Sequence, residues 1–235
     1  MNTSRIVIHR AFKILRRNLS TLNIEQLLSE ENKVKTLESF KKLTKVKYGE
    51  KIKRHAAILI PICVSNKNEL SILYTLRSTK LRTHKGQISF PGGHMQDEDG
   101  HEIECALRET KEEIGLDSEF IKVWGTGSQI TPTFGVSIVP VIAEVRNFDL
   151  SMVERNPEEV DEIIPIPLER LIDPNYFRHT QFRTPKGHQY VLPVYTGGKK
   201  KFWGMTALVT HFFLLSLLPK DVYKIRIPVV ESYTP

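Results

Sequence analysis

Apolar residues gather in short runs over residues 56–64 and 70–76, separated by the polar quartet Ser65-Asn66-Lys67-Asn68. This pattern predicts two strands joined by a turn. Similar runs at 121–124, 137–145 and 190–195 predict further strands, and Thr131-Pro132-Thr133 breaks the chain into a loop between the first two of these. Helical spacing appears over 24–43, and again where Ile103, Ala106, Leu107, Thr110 and Ile114 form a face that can lie on a sheet. Asp97, Glu98 and Asp99 are N-cap candidates for that second helix, and Gly115 suits its left-handed end. Pro165, Pro167 and Pro174 punctuate a short helix near 168–172. The most apolar stretch, 202–218, contains His211 and is shorter than the roughly 20 residues a membrane span needs. With Trp203, Leu208, Phe212 and Leu215 on one side, it predicts a buried helix instead. Strands on both sides of one helix, with another helix at the end, predict an α/β fold in which a mixed central sheet lies between helices.

Charge divides the chain unevenly. The net charge is +7, but residues 1–54 hold 14 Lys and Arg against 5 acids, whereas the remainder holds 20 against 22. A nucleic-acid-binding core would carry its own basic patch, so no nucleic-acid partner is expected. Before Glu25 there is no acid, and Ile8, Phe12, Leu15 and Leu19 form one stripe opposite Arg10, Lys13 and Arg17. An Arg-rich, acid-free amphipathic start predicts a mitochondrial presequence over residues 1–24, followed by a basic helical arm over 25–54 and one enzyme domain over 55–235. Cys63 and Cys105 are in no ligand spacing and suit a reducing compartment. Nothing in the pattern speaks to subunit number.

The chemistry concentrates between Gly92 and Leu116. Residues three and four apart share a helix face, so Glu109, Glu112 and Glu113 converge while Lys111 points elsewhere. Three carboxylates that close repel unless a cation sits among them, and hard divalent ions such as Mg²⁺ or Mn²⁺ prefer carboxylate oxygen. Arg108, four residues before Glu112, can hold that carboxylate in place.

The string Arg108-Glu109-Thr110-Lys111-Glu112-Glu113-Ile114-Gly115-Leu116 resembles the box of the Nudix family, G-x5-E-x7-R-E-U-x-E-E-x-G-U with U aliphatic. Thr110 stands at the first U. Counted from Gly93, the first Glu of the box falls on Asp99, and eight residues rather than seven then separate it from Arg108. The metal role implied by the resemblance is therefore carried to Glu109, Glu112 and Glu113 and withheld from Asp99. The resemblance also implies the Nudix α/β/α sandwich.

Upstream, Leu73-Tyr74-Thr75-Leu76-Arg77-Ser78, then Arg82, Gly86 and Phe90-Pro91-Gly92-Gly93, is similar to the signature L-L-T-x-R-S-x3-R-x3-G-x3-F-P-G-G, departing from it at Tyr74. That signature marks the coenzyme A diphosphatase branch. It implies hydrolysis of coenzyme A or acyl-CoA to 3′,5′-ADP and 4′-phosphopantetheine or its acylated form. Coenzyme A presents a diphosphate and a ribose 3′-phosphate, so Arg77, Arg82 and Lys85 are candidate phosphate ligands. Gly86, Gly92 and Gly93 let the backbone approach phosphate oxygens or take positive φ. His84 reads as structural or solvent-facing.

Hydrolysis needs a general base. Glu112 or Glu113 can serve, or an acid from a distant loop; in the acidic stretch 156–162, Glu159 and Glu162 are the best candidates. Two other readings stay open. One is a Nudix enzyme acting on ADP-ribose or nucleotides, since the acidic helix alone does not select the leaving group. The other is a non-catalytic binding module, against which the retention of all three glutamates counts.

Overall fold

A computed structural model describes residues 23–44, 54–131, 136–183 and 189–228. The presequence reading, residues 1–24, therefore lies almost wholly outside the described residues.

In chain order the elements are α1 Ile24–Leu27, α2 Glu30–Thr44, β1 Arg54–Val64, β2 Leu70–Arg77, β3 Ile88–Ser89, β4 Gly92–His94, α3 Glu102–Ile114, β5 Lys122–Thr126 and β6 Val136–Arg146. There follow β7 Val160–Pro167, α4 Leu168–Ile172, β8 Phe177–Arg183, β9 Gln189–Tyr195, β10 Phe202–Trp203 and α5 Gly204–Leu217. Ser65 makes the β1–β2 turn, its hydroxyl accepting the amides of Lys67 and Glu69, while Asn68 takes a positive φ of 59°. The helix expected over 24–43 is broken at Leu28-Ser29. Ser29 starts the second piece by accepting the Asn32 amide, and the Asn32 side chain ties back to the Leu27 carbonyl at 2.7 Å.

The main sheet runs β3-β2-β1-β6-β5, with β4 also paired to β1 and β7 to β2. β1 and β6 are parallel from Arg54↔Val136 to Val64↔Arg146, and the other pairs are antiparallel, so the sheet is mixed as expected. Alternation along β1 splits two cores. Ala57, Leu59 and Cys63 face α3, whose Cys105, Ala106 and Ile114 are fully covered. Ile60, Ile62 and Val64 face the other way, against Phe40 of α2 and Val209, Phe213 and Leu214 of α5. Residues 30–44, expected within a basic arm, are thus part of the sandwich. Lys33 of α2 is itself buried, paired with the buried Glu144 of β6 at 3.0 Å.

The closing helix is buried, but not on the side expected. Ala207, Val209, Thr210, His211, Phe213, Leu214 and Leu217 face inward, whereas Leu208, Phe212 and Leu215 are half-buried and Trp203 is exposed. The helix is apolar nearly all round, so periodicity could not choose its face. Two polar residues are drawn inside because partners await them: Thr210 meets the Tyr74 hydroxyl at 3.0 Å and His211 the Tyr223 hydroxyl at 2.7 Å. A second sheet, β10-β9-β8, extends beyond this helix. No described helix is long and apolar enough to cross a membrane.

Candidate active site

Helix α3 carries the site because it is held at both ends. His101, not the expected Asp97, Glu98 or Asp99, is the N-cap, its ring accepting the Glu104 amide. Asp99 is unavailable because it is engaged elsewhere. Gly115 closes the helix in the left-handed region at φ 67°, its amide bonded to the Lys111 carbonyl. The next segment wraps this end: Glu154 and Asn156 donate their amides to the carbonyls of Ile114 and Glu113, both at 2.9 Å.

On the face turned toward β4, the three glutamates grade from covered to open. Glu113 is buried, Glu109 largely covered and Glu112 half open. Glu113 accepts the Gly92 amide at 3.4 Å and stands 3.8 Å from the Arg77 guanidinium. Burial pushes its carboxyl up to about 8; Arg77 and the Gly92 amide offset part of this, while the charges of Glu109 and Glu159 add to it. Burial likewise raises Glu109 above the usual carboxylate range, against the opposing pull of Arg108.

Arg108 organises the outer part of the cluster. Its Nε and Nη2 donate to the two oxygens of Asp99 at 2.9 and 2.8 Å, and Nη1 donates to Glu109 and Glu112, both at 3.1 Å. Nη2 also donates to the His94 carbonyl at 3.2 Å. Hydrogen bonds from Arg108 hold the Asp99 carboxyl down to about 2. The expected pairing of Arg108 with Glu112 is present. What sequence reasoning missed is Asp99 as the anchor of that arginine; its signal was an acid one residue out of register with the box.

Among the described residues, no three acidic, histidine or cysteine side chains stand close enough together to hold a metal ion as they lie. The Arg108 guanidinium bridges Glu109 and Glu112 instead. The donor set nevertheless fits a hard cation. It is all carboxylate oxygen, and burial raises the pKa of its two most covered members, a cost to their charged forms that a bound cation would offset.

Arg77 ends β2 beside Glu113, and its Nε is buried without a hydrogen-bond partner among the described residues. Arg82 and Lys85 stand exposed on the loop between β2 and β3. Gly86 takes φ 68° there and closes the loop by donating its amide to the Arg77 carbonyl at 2.9 Å; the space around it is open, so conformation and not close approach requires glycine. His84 is exposed and bonded to Gln87.

The two candidate bases part company. Ser78 donates its amide to the Glu159 carbonyl at 2.8 Å, and the Glu159 charge is felt by both Glu109 and Glu113. Glu162 shares a strand face with Ile164 and Ile166, which pack into the core on the α5 side, and pairs with Lys199 at 2.6 Å. The structure therefore does not bring Glu162 to the acidic cluster.

Residues 53–190 match the NUDIX domain family. The mouse (Mus musculus) mitochondrial coenzyme A diphosphatase NUDT8 is 39% identical over 165 residues, covering 70% of this chain and 78% of that protein. Its human (Homo sapiens) counterpart is 39% identical over 165 residues, 70% of each chain. Nudix hydrolase 15, mitochondrial, of Arabidopsis thaliana is 34% identical over 159 residues, 66% of this chain and 55% of that protein.

Proposed function

The chain belongs to the Nudix hydrolase family, and we propose that within it the protein is a divalent-metal-dependent coenzyme A diphosphatase, releasing 3′,5′-ADP and 4′-phosphopantetheine or its acylated form. One observation carries this reading most: the strand of the coenzyme A signature ends with Arg77 at 3.8 Å from Glu113 of the acidic helix. Two motifs separate in sequence meet at one point, a cation-seeking cluster beside a phosphate-seeking guanidinium. The identity to two proteins named coenzyme A diphosphatases supports the same substrate.

In this reading Glu109, Glu112 and Glu113 hold Mg²⁺ or Mn²⁺ from one helix face. A bound divalent ion supplies charge neutralisation at the diphosphate and a lowered water pKa. The remaining work falls to the chain itself. Arg108, fixed by Asp99, holds Glu109 and Glu112 against the repulsion of their neighbours. Arg77, partly exposed beside Glu113, donates from its guanidinium Nη groups to a diphosphate oxygen. The Gly92-Gly93 backbone keeps the approach open above the carboxylates. Glu159 takes the proton from the attacking water, and Arg82 and Lys85 meet substrate phosphate from the exposed loop.

The deciding experiment is product analysis after incubating the purified protein with coenzyme A and Mg²⁺ or Mn²⁺, with ADP-ribose and a nucleoside triphosphate in parallel. Detection of 3′,5′-ADP, with turnover of coenzyme A exceeding the other two, is expected; turnover of ADP-ribose or the triphosphate alone would reassign the substrate. We also propose a mitochondrial location, supported by the mitochondrial names of these relatives and by the acid-free, Arg-bearing composition of residues 1–24. A fusion of residues 1–30 to a fluorescent protein is expected in mitochondria, and diffuse signal would reject it.

A further inference from the structure

Beside the acidic cluster lies a groove of about 480 Å³ lined by Arg54, His55, His94, Met95, Gln96 and Asp97. None of these residues stands at a fixed position of either motif. The groove and the cluster meet at the backbone of β4: Gly93 lies against Glu109, and the carbonyl of the next residue, His94, accepts from Arg108. Strand geometry sets its chemistry. Ala56 pairs with His94, and Arg54, two residues earlier on β1, projects to the same side as Ala56. Two basic side chains therefore leave the sheet together on the face opposite α3. Burial, then the positive charges of Arg54 and Arg77, lower the His94 pKa, which places both guanidinium groups near its ring. His55 is occupied, its ring bonded to the Ser137 hydroxyl at 2.8 Å. Asp97 also lines the groove.

The Arg54 guanidinium supplies a positive charge and the neutral His94 imidazole an N–H donor, a pair that favours an anion at an open groove. The Asp97 carboxylate in the same lining suits a hydroxyl or amino donor. That mixture fits a phosphorylated nucleoside better than a bare polyanion. The substrate reading supplies one such group: the adenosine half of coenzyme A bears its extra phosphate one ribose away from the scissile diphosphate. We propose that Arg54 and His94 form a second anion subsite that binds the ribose 3′-phosphate, with Arg77 left for the diphosphate. This inference rests on the coenzyme A diphosphatase reading and adds the residues that select the phosphorylated adenosine half.

The test compares kcat/KM for coenzyme A and for dephospho-coenzyme A, which lacks only that phosphate, in the full-length protein with metal. The unaltered protein should favour coenzyme A by about tenfold or more, the scale of one charge-assisted contact. In Arg54→Ala and His94→Ala the ratio should fall toward one, through KM for coenzyme A, and Arg54→Lys should recover part of it. Both positions are exposed, so folding is not at risk. An unaltered protein that hydrolyses both substrates alike, or variants that keep the original ratio, would overturn the subsite and leave the diphosphatase reading standing. Failure of the unaltered protein to hydrolyse either would remove both.

Discussion

The carboxyl group of Glu109 occupies the space that a side chain on Gly93 would fill; a Cβ built there overlaps it. The obstacle is the far end of a flexible side chain and not backbone. Gly93→Ala is therefore expected to fold with a melting temperature within a few degrees of the unaltered protein while pushing Glu109 off the cluster. Turnover should fall on the order of a hundredfold, the scale of a displaced catalytic group, with weaker Mn²⁺ binding by calorimetry. Gly92 provides the contrast. Its φ is 144°, and a Cβ there overlaps the Ala57 carbonyl and the Ile58 Cα of β1, which cannot move aside. Gly92→Ala should lose about 2 kcal/mol or more in denaturant unfolding. Equal stability losses in the two variants would contradict this assignment.

The Arg108–Glu112 pair and the Gly115 cap were legible because each follows from the local sequence of one helix; the glutamates share its face, but Arg108 bridges Glu109 and Glu112 where the spacing predicted three carboxylates converging. What escaped depended on tertiary partners. Asp99 looked like a cap, but a guanidinium from the second turn of α3 claimed both its oxygens. Glu159 and Glu162 looked equivalent in an acidic run, and only the pairing of β7 with β2 separated them. β8 was not expected as a strand: its residues 177–183 are largely polar and exposed, and it exists through its ladder to β9, not through alternation. Arg54 and His94 lie 40 positions apart in the numbering, and no local pattern joins them.

Asp99 is expected to act on turnover through Arg108. Asp99→Ala should leave that guanidinium tethered only by the His94 carbonyl and the glutamates it is meant to hold, lowering kcat by about tenfold or more, the scale of a lost charge-assisted bond. Because the loss concerns positioning, the pH dependence of kcat should keep its shape while its height falls. A shifted profile would instead make Asp99 a titrating participant.

Glu113 links the site to stability. Its folded-state pKa, about 8, lies above the free carboxyl value of 4.5. The folded state therefore binds this proton more tightly than the unfolded chain does. The stability it contributes is complete below about 4.5 and is lost as pH rises through about 8. Metal-free protein should accordingly lose on the order of a few kcal/mol across that window. Glu113→Gln, which keeps an acceptor for the Gly92 amide, should flatten that slope and abolish turnover. Urea unfolding of both proteins at pH 5 and pH 8 measures the difference, and identical slopes would show that the buried carboxyl is not the source.

The separation of Glu159 from Glu162 makes the general base testable by matched amide substitutions. The amide of Glu159→Gln retains size and hydrogen-bonding capacity but cannot accept a proton at neutral pH. If Glu159 removes the proton from water, kcat should fall by about a hundredfold to ten-thousandfold with little change in KM. Removing this neighbouring charge should also lower the pKa of Glu113, so the metal-free stability slope moves to lower pH. Glu162→Gln breaks only the exposed pair with Lys199, expected to contribute less than about 1 kcal/mol, and kcat should stay within about twofold. The reverse ranking of the two variants would return the role to Glu162, and full activity in both would leave it with Glu112 or Glu113.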